Sequence, residues 1–219
     1  MEKTPIYFMP GLAASHKIFE NLEFDLDRYT LHYINWIEPQ TFEEDISSYA
    51  CRLSAKIKEK NPVLIGVSFG GIIVQELASY VHPKKVIIVS SVKHHDELPK
   101  RFKLAKLTKI YKVFPTKVIE NFEDYLGFFI GKSLKKRADL YKKYLSVRSK
   151  EYLQWSIATI IKWQQTKPII NIVHIHGTND AVFPIKNIQN TIKIKGGTHI
   201  MVLTKAKKIS NIIDTVLTC

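Results

Sequence analysis

PVLIGVSFGGIIVQELASY, residues 62 to 80, holds an apolar run, a serine flanked at two residues by glycines, and a second apolar run with helical spacing. The first run, Pro62 to Val67, is short and rich in Val, Leu and Ile, as a strand buried on both faces is. The second, from about Gly71 to Tyr80, reads as a helix. A strand that passes into a helix through G-x-S-x-G has the layout of a nucleophile elbow, a turn tight enough to strain the serine backbone. Side chains two residues to either side of Ser68 would clash there, so Gly66 and Gly70 leave room. Gly70 and Gly71 each cost a helix roughly 1 kcal/mol against alanine, and close packing is a reason to keep them. The plainer alternative is a glycine-rich strand–helix turn with Ser68 as an ordinary helix cap.

Outward from this stretch, strands and helices alternate. IYFM (6–9), HYINWI (32–37), KVIIVSS (85–91), IINIVHIH (169–176) and TIKIKG (191–196) read as five further strands, six in all. TFEEDISSYACRLSAKIKEK (41–60) reads as a helix with a capping box, Thr41 at the cap and Glu44 three residues on. KAKKISNIIDTVL (205–217) reads as a closing amphipathic helix. Alternation of this kind implies an α/β fold, a mostly parallel sheet with helices on both faces.

Residues 93 to 167 differ. Four helical patterns (LPKRFKLAKLTKIYKVF, KVIENFEDYLGFFIG, SLKKRADLYKKYLS and EYLQWSIATIIKWQQ) fill them, with no clear strand. The expected organisation is a core in two parts, 1–92 and 168–219, with 93–167 a helical cap inserted between them. Inserted there, it would lie over the sheet's C-terminal edge, where open α/β folds bind ligands. Phe128, Phe129, Tyr152, Trp155 and Trp163 are expected mostly to pack this insertion onto the core, with one or two lining a pocket.

A serine hydroxyl needs a base to take its proton and an acid to orient that base. Both follow downstream, each just after a strand. HGTNDAVFP (176–184) puts Asp180 on one turn, and GGTHIMV (196–202) puts His199 on the next. In a parallel sheet these turns share one edge with the Ser68 turn, so the three side chains can converge. Singly, Asp180 would pass for an Asx-turn and His199 for a helix-start residue. The order Ser, Asp, His on successive same-edge turns favours the triad.

Net charge is +13, and it is concentrated. Residues 93–167 carry 18 Lys+Arg against 7 Asp+Glu, a net +11, which leaves +2 for the rest. Only three of those 18 cations are arginine, and no nucleic-acid motif accompanies them, so no nucleic-acid partner is expected. The lysines read first as a solvated face, and beyond that as attraction for an anionic substrate or for peripheral contact with an anionic membrane. No apolar run reaches membrane-spanning length, and the N-terminus lacks a signal-peptide pattern. With two cysteines, Cys51 and Cys219, no disulfide framework is expected, and the cytoplasm is the expected compartment. His94-His95-Asp96 reads as a solvated junction, and the same-face pair His174 and His176 lacks a third ligand. Neither a metal nor a cofactor is expected. His16, close to the loop MPGLAASH (9–16), is a minor candidate for substrate contact.

GVSFGG, HGTNDAVFP and GGTHIMV closely resemble motifs of the α/β-hydrolases, and the likeness covers about two thirds of the chain. The resemblance implies Ser68 as nucleophile, His199 as general base and Asp180 as its orienter. It implies an oxyanion hole from the N–H groups of Phe69 and Leu12, the latter on a loop with Pro10-Gly11 where many relatives carry His-Gly. The chain begins at what resembles the family's third strand. The activity implied is a serine hydrolase acting on a carboxylic ester of a small molecule through an acyl-enzyme. A thioesterase, acyltransferase or C–C hydrolase would share this triad, and a low-turnover ligand-binding protein would share the fold.

Overall fold

A computed structural model describes residues 3–108, 143–147, 149–166 and 169–218. Six strands form one sheet: β1 (Thr4–Met9), β2 (Tyr29–Tyr33), β3 (Val63–Val67), β4 (Lys85–Val89), β5 (Val173–Gly177) and β6 (Ile192–Ile194). Their order is β2-β1-β3-β4-β5-β6, and every neighbouring pair is parallel. All five residues of β3 are buried, which matches its unbroken apolar sequence, whereas the edge strand β6 buries only Ile194 of its three. The order reverses between β1 and β3. Ligands bind at such a switch point, outside the strands' carboxyl ends.

Helices cover both faces. α1 (Ile46–Ser54) and α2 (Phe69–Val81) pack against each other. Right-handed crossovers put them on one face and the β1–β2 connection on the other. After the four-residue α5 (Met201–Thr204), α6 (Ala206–Thr218) joins that second face, where Ser210 accepts the Glu23 N–H (2.9 Å) and Asp214 bonds Tyr29 Oη (3.0 Å).

Three elements differ most from the sequence expectation. β5 starts at Val173, not Ile169, because the Ile172 N–H bonds Ile169 O in a turn ahead of it, and α1 ends at Ser54, not Lys60. β2 ends at Tyr33, not Ile37: Phe8 pairs with Tyr33, the Ile34 N–H reaches Phe8 O, and the chain then leaves the sheet. Thr41 does not cap α1. Asp45 does, accepting the Ser48 N–H (2.9 Å), while the Glu44 carboxylate takes the Gln40 N–H and both arms of Arg52. Residues 41–44 form a turn ahead of the helix.

Between β4 and β5 the longer described elements are helices, α3 (Lys100–Thr108) and α4 (Lys150–Lys162), and Leu145 makes an isolated antiparallel bridge to Ala14. The patterns KVIENFEDYLGFFIG and most of SLKKRADLYKKYLS, with Phe128 and Phe129, lie outside the described residues. The two ends of the region meet, the His95 N–H bonding Gln165 O at 2.9 Å. α4 is docked on the core by buried aromatics with satisfied polar ends. Tyr152 Oη accepts the Ala13 N–H, Trp155 donates to Glu44 O and Trp163 to Glu76. None of these three lines the cavity described below, so they serve packing.

Candidate active site

β3 delivers Ser68 to the C-terminal edge with φ 53° and ψ −120°, a conformation that costs a non-glycine residue about 1–3 kcal/mol. The surroundings hold it there. A Cβ on Gly66 would stand 2.3 Å from Gly70 O, and one on Gly70 2.3 Å from Pro10 O, so strand, helix and β1 loop meet backbone to backbone. Ser91 Oγ donates to Ser68 O (2.7 Å) from the end of β4. Phe69 is the first residue of α2, where backbone N–H groups have no partner within the helix.

Asp180 follows β5 and His199 follows β6. Their turns are pressed together, since a Cβ on Gly177 would meet Gly197 O at 2.2 Å, and Asn179 N–H bonds Gly197 O. The result is a continuous chain: Ser68 Oγ lies 2.8 Å from His199 Nε2, and His199 Nδ1 lies 2.9 Å from Asp180 Oδ2. The other carboxylate oxygen accepts the N–H groups of Val182 and Phe183 at 2.8 and 2.9 Å. Burial pushes the Asp180 carboxyl up, but the adjacent His199 and these hydrogen bonds outweigh it and hold it below the usual carboxylate range. An ionised, buried carboxylate with both oxygens occupied can fix an imidazole tautomer and balance its charge.

The second proposed oxyanion residue, Leu12, follows β1, beside β3 at the switch point. Leu12 and Gly11 line one cavity with Ser68 and His199. Trp36, read from sequence as a strand residue, joins the two halves of this site. Its indole N–H donates to Gly11 O (3.1 Å), and its ring stacks on Phe69 with centroids 5.2 Å apart. His16 is outside the cavity and tilts against Tyr33.

Behind Ser68, His199 and Asp180, His174 and His176 bond each other and do not present a paired ligand face. His176 Nε2 donates to Phe183 O (2.8 Å), so in a neutral ring Nδ1 accepts from His174 Nε2–H (3.1 Å). His176 Nε2 also lies 3.6 Å from Asp180 Oδ2, so this pair braces the turn that carries the acid. Burial lowers both imidazoles, His174 strongly, and so keeps them neutral. The unfolded chain takes up protons on them below about pH 6.5, and the folded chain resists. Their contribution is therefore whole above that pH and declines on acidification, by up to about 1.4 kcal/mol per pH unit for each histidine. Urea midpoints are expected to fall between about pH 7.5 and 5.5, and less steeply for His174→Gln. Equal slopes for the two proteins would refute the account.

The His94-His95-Asp96 stretch is organised around a neighbour. Buried Glu97 accepts the Lys93 N–H (2.6 Å) with the Lys93 ammonium 3.8 Å away, and His95 Nδ1 bonds Gln165 O.

No family model matches the chain, and no curated protein matches it. Solved structures do. A carboxylesterase of Nitrososphaera gargenis superposes with a TM-score of 0.73 at 15% identity, covering 99% of this chain and 90% of that one. An esterase of Exiguobacterium antarcticum gives 0.69 at 16%, covering 100% and 93%. A putative non-heme bromoperoxidase of Mycobacterium tuberculosis gives 0.70 at 11%, covering 99% and 92%. Identities this low speak for the shared fold, and the substrate must be argued from this chain's own residues.

Proposed function

We propose that this chain, an α/β-hydrolase by fold, is a serine hydrolase that cleaves a carboxylic ester through an acyl-enzyme on Ser68. The observation that carries the proposal is the hydrogen-bonded chain from Ser68 through His199 to buried Asp180. Ser68 Oγ attacks the ester carbonyl while its proton passes to His199 Nε2. The tetrahedral oxyanion accepts from the Phe69 and Leu12 N–H groups, worth about 3 kcal/mol per donor. His199 then returns the proton to the departing alcohol oxygen as the C–O bond breaks. Water repeats the sequence, giving its proton to His199, attacking the acyl carbon, and releasing the acid and free Ser68. In this reading 93–167 is a cap inserted between core parts 1–92 and 168–219, no cofactor takes part, and the enzyme works in the cytoplasm. Among the described residues, no helix is long and apolar enough to cross a membrane.

The test is fluorophosphonate labelling of the native chain and of Ser68→Ala, read by intact mass and peptide mapping. The reagent mimics the tetrahedral intermediate, so it requires nucleophile, base and oxyanion donors together. One adduct on Ser68, absent from the variant, is expected. A folded protein without that adduct would move the low-turnover binding protein to the front.

A further inference from the structure

The cavity beside Ser68 holds about 110 Å³ and draws its walls from the whole fold. Gly11, Leu12 and Ile18 come from the loop after β1, Val182 and Phe183 from the Asp180 turn, and Val202 and Leu203 from α5. The region between β4 and β5 supplies Phe102, Tyr144, Leu145 and Ile160. That region carries most of the chain's positive charge, yet none of its lysines or arginines is among the described lining residues. Besides Ser68 and His199, the only polar side chain in the described lining is Tyr144. Its Oη donates to Glu20 (2.6 Å), and the neighbouring Lys143 ammonium also goes to Glu20 (2.5 Å). The polar ends are thus turned onto Glu20, and the cavity keeps the rings and methyl groups.

We infer that this cavity is an acyl pocket selective for an uncharged, straight aliphatic chain, and that it rejects an acyl group ending in a carboxylate although the region that supplies part of its wall is basic. The inference rests on the Ser68 acyl-enzyme reading above. The acyl group stays bonded to Ser68 through both half-reactions, so the cavity walled by Ser68, Gly11 and Leu12 is the one that contacts it throughout. Among the described lining residues a carboxylate at the chain's far end would lose its water and meet no cationic side chain, and the Tyr144 hydroxyl is already given to Glu20. A cavity of roughly 150 Å³ accommodates the six carbons of benzene, so one of about 110 Å³ takes about four or five carbons beyond the carbonyl, a pentanoyl or hexanoyl chain.

The experiment compares p-nitrophenyl esters of straight-chain acids from acetate to octanoate with the adipate hemiester, whose acyl chain matches hexanoate except for its terminal carboxylate. Expected is a rise in kcat/KM of about fourfold per methylene, levelling near hexanoyl. The hemiester should run at least about a hundredfold below hexanoate. Leu203→Lys, on the half-exposed side of the lining, is expected to raise the hemiester-to-hexanoate ratio about tenfold. Ser68-dependent turnover of the hemiester as fast as hexanoate, or a chain-length dependence on the alcohol side alone, would overturn the inference and leave the nucleophile intact. If no ester turns over, calorimetry on Ser68→Ala decides: hexanamide should bind and adipamate should not. Binding of both or of neither would overturn the inference.

Discussion

Asp180→Asn is expected to fold and to lose about four orders of magnitude in kcat, the scale seen when a triad carboxylate becomes an amide. The two oxygens of Asp180 have different partners, and this decides how the asparagine sits. The Val182 and Phe183 N–H groups need an acceptor, so the amide oxygen stays with them and the amide nitrogen faces His199 Nδ1. Facing a donor, Nδ1 must accept, and the ring proton moves to Nε2. His199 then offers Ser68 a donor where the reaction needs a base. The site keeps its shape and loses its proton acceptor. Steady-state kinetics with a chromogenic ester should show the fall in kcat with KM little changed, and circular dichroism should show a native fold. A variant retaining a tenth of the activity would place the essential base elsewhere.

Gly70→Ala is expected to be among the most damaging single methyls in the core. The added carbon would lie 2.3 Å from Pro10 O and 2.4 Å from Met9 O, both backbone atoms at the end of a central strand. Neither can rotate away, so α2 or the β1 loop must shift. Overpacking of this kind costs about 3 kcal/mol, which for a chain of this size lowers Tm by roughly 10 °C. The displaced loop carries Gly11 and Leu12, so activity should fall further than stability explains. Thermal melting with kinetics below the transition checks both parts. An unchanged Tm would mean that the contact between helix and loop is looser than described.

The features that follow from local pattern were legible in the sequence. β3, the Ser68 turn and α2 are carried by one contiguous stretch, and six strands follow from Val- and Ile-rich runs separated by helical spacing. Asp180 and His199 could be placed because a parallel sheet brings successive turns to one edge, an argument from topology that needs no distances. What escaped was decided between distant segments. Ile34, Trp36 and Ile37 look like strand residues because they are apolar, but Trp36 is apolar in order to stack on Phe69 and reach Gly11. Thr41 and Asp45 both satisfy a cap pattern, and Arg52 decides between them by drawing Glu44 into a bidentate pair. From the region between β4 and β5 the proposed acyl pocket takes one residue from each of two helices and two from a short segment between them, and the rest of its described wall comes from the end of β3, loops and α5, so no periodicity announces it. The role of His176 depends on the Phe183 carbonyl seven residues on, which spacing alone cannot reveal.

The strand order β2-β1-β3-β4-β5-β6 also bears on how such a protein comes into being. Parallel neighbours are never joined by a hairpin, so each pairing must close a long loop before it is rewarded, and chains of this topology are slow to fold. The residues of the proposed site stand at positions 12, 68, 180 and 199, at the ends of four different strands. No fragment released early from the ribosome holds more than two of them, however helical it becomes. On the proposed reading a nascent chain is therefore chemically silent until His199 has been synthesised and the sheet assembled.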